Sequence, residues 1–253
     1  MTTALITGAT AGIGREFATQ LARRNHHLVL VARDAERLEA VAAELRAAHG
    51  VDVEVLPADL SDRAALQRVA DRLSAPGDPV EVLVNNAGYG LKGSFLSHDI
   101  DVEERLFDVL TRAVLVLSHA GARAMKARGR GTIINVSSVA GFIASGTYSA
   151  AKSWVTVFTE GLAAELAGTG VTATALCPGF TATEFHERAA LAKTGPAFMW
   201  LDAADLVSAC LADVARGRVV SVPGAQYKAI VGLLRVVPRS AVRGRVARVQ
   251  RRR

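Results

Sequence analysis

A chain of 253 residues, half of them hydrophobic and 21% charged, is long enough to bury one sizeable α/β core. Its two cysteines, Cys177 and Cys210, exclude a disulfide framework and point to a reducing cytoplasm, the six histidines show no metal-ligand spacing, and no run of 18 apolar residues exists to span a membrane. The formal net charge of +6 is uneven: Val214 to Arg253 holds ten arginines, one lysine and no acid, whereas the preceding residues hold 19 basic and 24 acidic side chains, so the excess charge belongs to the tail.

Thr3 to Thr7 predicts a short buried strand, and with so early a start no targeting peptide is expected. The turn Gly8-Ala9-Thr10-Ala11-Gly12-Ile13-Gly14 follows at once. Arg15 to Arg24, with apolar Phe17, Leu21 and Ala22, then suits a helix packed on a sheet. Strand, glycine turn and helix form the setting a phosphate cradle needs: glycines admit the pyrophosphate to the backbone, and free amides at the helix start supply hydrogen bonds and partial positive charge. The spacing is GxxxGxG and not GxGxxG, so the expectation rests on that setting.

Leu28 to Val31 predicts the second strand, ending in Ala32-Arg33-Asp34. An acid near this strand end would take the ribose hydroxyls of NAD, while an arginine suits a 2′-phosphate. Arg33 therefore points to NADP, one charge-assisted contact of ~1.5–3 kcal/mol favouring it roughly tenfold to a hundredfold. Asp34, before an apolar-periodic run, reads as a helix N-cap.

Further strands are expected near Val51–Pro57, Val80–Val84, Thr132–Val136, Val171–Leu176 and Val219–Val222, with helical stretches between them. They are β-branched and apolar throughout, as when both sheet faces are covered. The alternation predicts an α/β fold: a single doubly wound parallel sheet (Rossmann fold) with helices on both faces and ligands at the strand carboxyl ends. Residues 1–225 would form this domain and 226–253 a basic tail.

Tyr148 and Lys152, in YSAAK, lie one helical turn apart and share a face. A lysine charge about 5 Å away, at an effective dielectric of ~20, favours phenolate by roughly 3 kcal/mol, or ~2 pKa units, which would make an acid/base of an ordinary phenol. Ser138, on a separate element, would hydrogen-bond the carbonyl that receives the proton.

Taken in order, TGATAGIG, Asp59-Leu60, Asn85-Asn86-Ala87-Gly88, Ser138, YSAAK and Pro178-Gly179 resemble the short-chain dehydrogenase/reductases, from Thr3 to about Val222. The resemblance implies an NADP(H)-dependent oxidoreductase in which Ser138 polarises the substrate carbonyl and Tyr148 is the general acid in reduction or base in oxidation. Lys152 would lower the Tyr148 pKa and bind the nicotinamide ribose. The turn from Gly8 through Thr10, Ala11, Gly12 and Ile13 to Gly14 would be the cradle. Asp59, with Leu60, would contact the adenine, Asn85, Asn86, Ala87 and Gly88 would pass beside the ribose, and Pro178, Gly179, Thr181 and Thr183 would line the nicotinamide. Family members commonly form homo-oligomers through the helices carrying Leu110 and Tyr148. Two departures stand out. Leu110 occupies the place where many relatives carry an asparagine that supports a proton-relay water, and the stretch from Ser138 to Tyr148 looks a few residues short.

The segment 183–202, usually the substrate lid in this family, carries Phe185, His186, Phe198, Met199, Trp200 and Leu201. With Tyr89, Phe142 and Ile143 it suggests an apolar ketone, aldehyde or secondary alcohol as substrate, although each residue serves equally to dock the lid. Cys177 reads as a small buried hydrophobe. In the tail, Val242, Val246 and Val249 share a helical face among arginines, so contact with an anionic membrane surface, a solvated tail, or pairing with an acidic face of a second subunit all stay open. Nucleic acid is not expected, since no aromatics interleave the arginines. The rival readings are a 3-oxoacyl-thioester or steroid-type reductase, and a dinucleotide-binding regulatory protein that has lost its chemistry.

Overall fold

Seven apolar strands pair in parallel in the order β3-β2-β1-β4-β5-β6-β7. They are β1 (Thr3–Thr7), β2 (His27–Ala32), β3 (Val53–Pro57), β4 (Val80–Asn85), β5 (Gly131–Val136), β6 (Val171–Leu176) and β7 (Val220–Ser221). The computed structural model describes residues 1–182 and 196–236. The helices are α1 (Gly12–Ala22), α2 (Ala35–His49), α3 (Arg63–Ser74), α4 (Ile100–Phe107), α5 (Ala113–Arg128), α6 (Gly146–Glu165), α7 (Ala203–Ala215) and α8 (Ala225–Val236).

The interior strand β1 is buried at all five positions because both sheet faces are covered. On one face Phe17 and Leu21 of α1, Leu38 of α2 and Leu206 of α7 pack against Ile6, Leu30 and Val84. On the other, Leu66 and Val69 of α3 and Leu117 and Met125 of α5 pack against Leu5, Leu83 and Ile133. Fully burying each large side chain contributes about 1.5–3 kcal/mol. The strand order reverses direction between β1 and β4, which opens the crevice where doubly wound sheets bind ligands.

Local signals set the helix ends. The Asp34 carboxylate accepts from the Arg37 amide at 3.0 Å and caps α2, as its sequence position suggested. Asp62 caps α3 in the same way through Ala65 at 2.7 Å. The first helix begins at Gly12, inside the glycine turn, and not at Arg15. β3 starts at Val53 and β7 is confined to two residues, both shorter than the apolar runs implied.

Residues 226–236, placed by sequence in the basic tail, lie in α8, where Tyr227 and Val231 are buried against Ala175, Cys177 and Val222. Their apolar spacing joins them to the body despite the surrounding positive charge. The valine face at Val242, Val246 and Val249 lies outside the described residues. Among the described residues no helix is long and apolar enough to cross a membrane.

Candidate active site

The glycine turn leaves β1 directly into α1. Gly14 packs so close to the Gly8 carbonyl and the Asn86 side chain that a Cβ would collide with both. Gly8 has φ +68°, and a Cβ there would lie 2.9 Å from the Asn86 amide nitrogen. The N-cap of α1 is Ala11, which offers no side-chain cap, so the first amides of the helix remain available to an anion. Thr10 is buried in the same turn.

The end of β4 is sewn to this turn. The Thr7 hydroxyl accepts from the amides of Asn86 at 2.9 Å and Ala87 at 3.0 Å, and the Asn86 side chain donates to Thr7 O at 2.9 Å. Asn86 and Ala87 therefore run beside the glycine turn. Asn85 does not present its side chain there: it is buried, donating to Asn135 at 2.9 Å and Ser118 at 3.1 Å. Its place in β4, paired with Asn135 of β5, turns it into the sheet interior, where it braces β4 against β5 and α5.

Arg33 lines a cavity of about 300 Å³ with Tyr89, Asp101, Val102 and Arg105. Neither Arg33 nor Arg105 makes an ion pair among the described residues. Asp59, near both guanidiniums, accepts from the Ser61 amide at 2.9 Å and hydroxyl at 2.7 Å. Burial pushes its carboxyl up, but the Ser61 hydrogen bonds and the charges of Arg33 and Arg105 outweigh this and hold it below the usual carboxylate range. Leu60 beside it is buried.

Ser138, Tyr148 and Lys152 converge across the crevice. Ser138 caps the short turn Val139–Phe142, its oxygen accepting from the Ala140 amide at 3.1 Å and its hydroxyl donating to the Pro178 carbonyl at 3.5 Å, and it stands close enough to Tyr148 to act on the phenol's titration. Lys152 is buried; its Nζ donates to the Val136 carbonyl at 2.7 Å and lies 5.8 Å from the centre of the Tyr148 ring. A Cβ on Gly88 would come within 3.7 Å of that Nζ, so the exit of β4 passes alongside the lysine.

The expected depression of the phenol pKa is not what this environment produces. Burial pushes Tyr148 up to about 12, against the opposing hydrogen bond from Ser138. Burial also lowers Lys152 to about 8, with Cys177 acting in the opposite direction. Desolvation is the largest influence on both side chains, and the ammonium makes its hydrogen bond to the Val136 carbonyl while lying 5.8 Å from the centre of the ring.

Leu110 is fully buried in a π-helical turn, Asp108–Arg112, packed with Leu106, Ala151, Tyr89 and Tyr148. Its Cδ2 lies 2.8 Å from where a Gly88 Cβ would stand, so leucine fills the space between β4 and Lys152. Thr111 beside it is buried, with no hydrogen-bond partner for its hydroxyl among the described residues.

After β6, the Pro178 carbonyl accepts from Val139 at 2.9 Å. Gly179 lies flat against the Tyr227 ring, where any side chain would collide with it. The Tyr227 hydroxyl accepts from the Phe180 amide at 2.9 Å and donates to Met199 O at 2.6 Å, and Thr181 bridges to Leu201. Tyr227 was missed by sequence reasoning because it sits in the stretch read as a tail. Thr183, Phe185 and His186 lie outside the described residues. Met199, Leu201 and Phe142 pack on the cluster around fully buried Cys177, while Phe198 is exposed. Met199, Leu201 and Phe142 thereby dock segments onto the body, whereas Tyr89 packs in the same cluster as Tyr148.

The glycine cradle, the uncapped start of α1 and the unpaired Arg33 fit a phosphorylated dinucleotide. Among the described residues no group of three or more His, Cys, Asp or Glu side chains is placed to hold a metal.

The model of the short chain dehydrogenase family matches residues 2–193. The very-long-chain 3-oxoacyl-CoA reductase of Anas platyrhynchos is 33% identical over 195 residues, covering 73% of this chain and 61% of that protein. The chain thus spans about three fifths of that relative. A short-chain dehydrogenase from Sphingobium yanoikuyae in complex with NADPH superposes with a TM-score of 0.85 at 37% identity, covering 94% of this chain and 97% of that one. The bulky-bulky ketone specific alcohol dehydrogenase from Comamonas testosteroni gives a TM-score of 0.81 at 33% identity, covering 94% and 95%. With its seven-stranded parallel sheet, its glycine turn and the Ser138, Tyr148 and Lys152 cluster, the chain belongs to the short-chain dehydrogenase/reductase family of oxidoreductases acting on CH–OH and C=O groups.

Proposed function

We propose that this protein is an NADP(H)-dependent reductase that interconverts an apolar ketone or aldehyde and its alcohol, with Tyr148 moving the proton. The observation that carries this reading is the convergence of Ser138 and Tyr148 on buried Lys152, whose Nζ lies 5.8 Å from the centre of the Tyr148 ring and alongside Gly88 at the exit of β4. The turn from Gly8 to Gly14 and the α1 amides would hold the pyrophosphate. Arg33 would hold the 2′-phosphate, Asp59 and Leu60 would border the adenine, and Asn86 to Gly88 the ribose. Lys152 would meet the second ribose, and Pro178, Gly179 and Thr181 would line the nicotinamide. Bound there, the nicotinamide supplies or accepts the hydride.

The residues then have defined tasks. A phenol held near 12 is protonated throughout the neutral range, the form in which Tyr148 would donate a proton to a carbonyl oxygen. Ser138, close to that phenol, would offer its proton to the same oxygen. Leu110 and Tyr89 keep water from the inner side of Tyr148. The NADPH in the Sphingobium yanoikuyae structure and the bulky ketone specificity named for the Comamonas testosteroni enzyme support the cofactor and substrate class.

Exposed Phe107 of α4, Leu115 of α5 and Val157 of α6 support association with a second copy. The free, buried cysteines fit a reducing cytoplasm. The test is NADPH consumption with a panel of apolar ketones, aldehydes and 3-oxoacyl thioesters, wild type against Tyr148→Phe. Equal turnover by both proteins would overturn the assignment of Tyr148.

A further inference from the structure

Outside the residues already assigned, one buried ionisable cluster touches the catalytic helix. Glu103 of α4 is 6% exposed, yet both its oxygens are engaged. Oε2 accepts from the Thr147 hydroxyl at 2.6 Å, and Oε1 meets His98 Nδ1 at 2.7 Å. Thr147 is in the first turn of α6, immediately before Tyr148. His98 Nε2 lies 2.8 Å from the Lys92 carbonyl, and the ring stacks so near Gly93 that a Cβ there would come within 3.1 Å of Nε2. Gly93 has φ +113°, a conformation that admits the ring at no steric cost only to glycine.

The donor count of imidazole decides the charge. Both ring nitrogens of His98 face acceptors, a carboxylate oxygen and a carbonyl oxygen. A neutral imidazole carries one N–H and satisfies one of them; the imidazolium satisfies both. The loop from Tyr89 to His98 is thereby tied to α4, and α4 to the first turn of α6. Tyr89 and Leu91 of that loop pack against the same cluster as Tyr148, so the tie reaches the catalytic phenol from two sides.

We infer that Glu103 is a positioning residue for Tyr148 and that the charged ring of His98 locks it in place, making the alignment of the phenol sensitive to pH. The inference rests on the reductase reading for its kinetic consequence. Glu103 is the titratable group that faces His98; the loop contributes the Lys92 carbonyl, and α6 contributes the Thr147 hydroxyl to Glu103.

The directions of titration define the window. The hydrogen bond to Glu103, followed by that to Lys92, raises His98 above its ordinary 6.5, so its contribution is complete below that value and disappears as pH climbs through the raised pKa. Burial pushes Glu103 up, but the hydrogen bonds from Thr147 and His98 prevail and hold it below its ordinary 4.5. Its contribution is complete above that value and disappears as pH falls through the lowered one. The lock is closed in mildly acidic to near-neutral solution and opens toward alkaline pH.

The experiment measures kcat and KM for carbonyl reduction between pH 5.5 and 9 in wild type, Thr147→Val, Thr147→Ser and His98→Gln, with circular dichroism as the check on folding. Thr147→Val is expected to lower kcat by about tenfold to a hundredfold while KM for NADPH holds, because a small misplacement of a reacting group has that effect. Thr147→Ser restores the hydroxyl and is expected to recover most of the loss. In His98→Gln the step in kcat at the raised His98 pKa is expected to vanish, leaving only the fall that Lys152 sets. Wild-type turnover in Thr147→Val, or an unchanged pH profile in His98→Gln, overturns the inference. Should wild type reduce no carbonyl, the reductase reading fails, and the ring ¹⁵N shifts of His98 decide the lock separately. Both nitrogens protonated at pH 6.5 uphold it, and a neutral ring there overturns it.

Discussion

Replacing Arg33 with alanine removes a guanidinium from the end of β2 without touching the core, since Arg33 is exposed and makes no ion pair among the described residues. The neighbouring acid does not offset it: the Asp34 carboxylate is committed to the Arg37 amide at 3.0 Å as the cap of α2. A charge-assisted hydrogen bond to a 2′-phosphate is worth ~1.5–3 kcal/mol, and each 1.4 kcal/mol is a factor of ten, so NADPH is expected to weaken roughly tenfold to a hundredfold. Arg105 faces the same cavity and would retain part of the attraction, which places the loss toward the lower end. NADH has no 2′-phosphate, and its affinity should stay within about twofold, inside the ordinary scatter of exposed substitutions. Calorimetric titration of wild type, Arg33→Ala and the Arg33→Ala/Arg105→Ala pair with both nucleotides measures this, and added salt should narrow the difference. Equal losses for NADPH and NADH would refute the assignment of Arg33, and with it the preference for NADP.

Further outcomes follow from the interior. Leu110→Asn places an amide among Leu106, Ala151 and Tyr89, and should destabilise the fold by about 2–4 kcal/mol in urea denaturation; an unchanged midpoint would contradict its burial. Reduction should decline as pH rises through about 8, where Lys152 loses its charge, well before Tyr148 near 12 deprotonates; a flat profile to pH 10 would refute this order. Because the Lys152 pKa is lowered from 10.5, the unfolded chain binds the proton more tightly, so this residue penalises folding most below about 8 and the penalty fades as pH approaches 10.5. Tyr227→Phe strips the hydroxyl that joins Phe180 to Met199 and should cost about 1–3 kcal/mol with a raised KM for NADPH, read by thermal melts and initial rates.

The βα alternation was legible because each strand is a short apolar run bounded by turn residues, and the order of the motifs followed from their place at strand ends. Gly8, Gly14, Asn86, Ser138, Tyr148 and Lys152 gather around one crevice for that reason. What sequence spacing could not convey was the competition of burial with charge. The i, i+4 relation of Tyr148 and Lys152 predicts proximity, but not that the ammonium donates to Val136 while desolvation governs both titrations. Asn85 belongs to a motif that the family resemblance sets beside the cofactor, yet strand alternation turns its side chain inward, a distinction set by register with Asn135. Tyr227 and the Glu103–Thr147 contact join residues far apart in the chain, and such pairings leave no local pattern to read.

The most direct test of the central claim is the fall in NADPH absorbance with apolar ketones, aldehydes and 3-oxoacyl thioesters, run on wild type and Tyr148→Phe together. The account predicts turnover by the wild type that Tyr148→Phe abolishes while still binding NADPH. Turnover that survives in Tyr148→Phe, or a wild type that binds NADPH and reduces none of the panel, would contradict it.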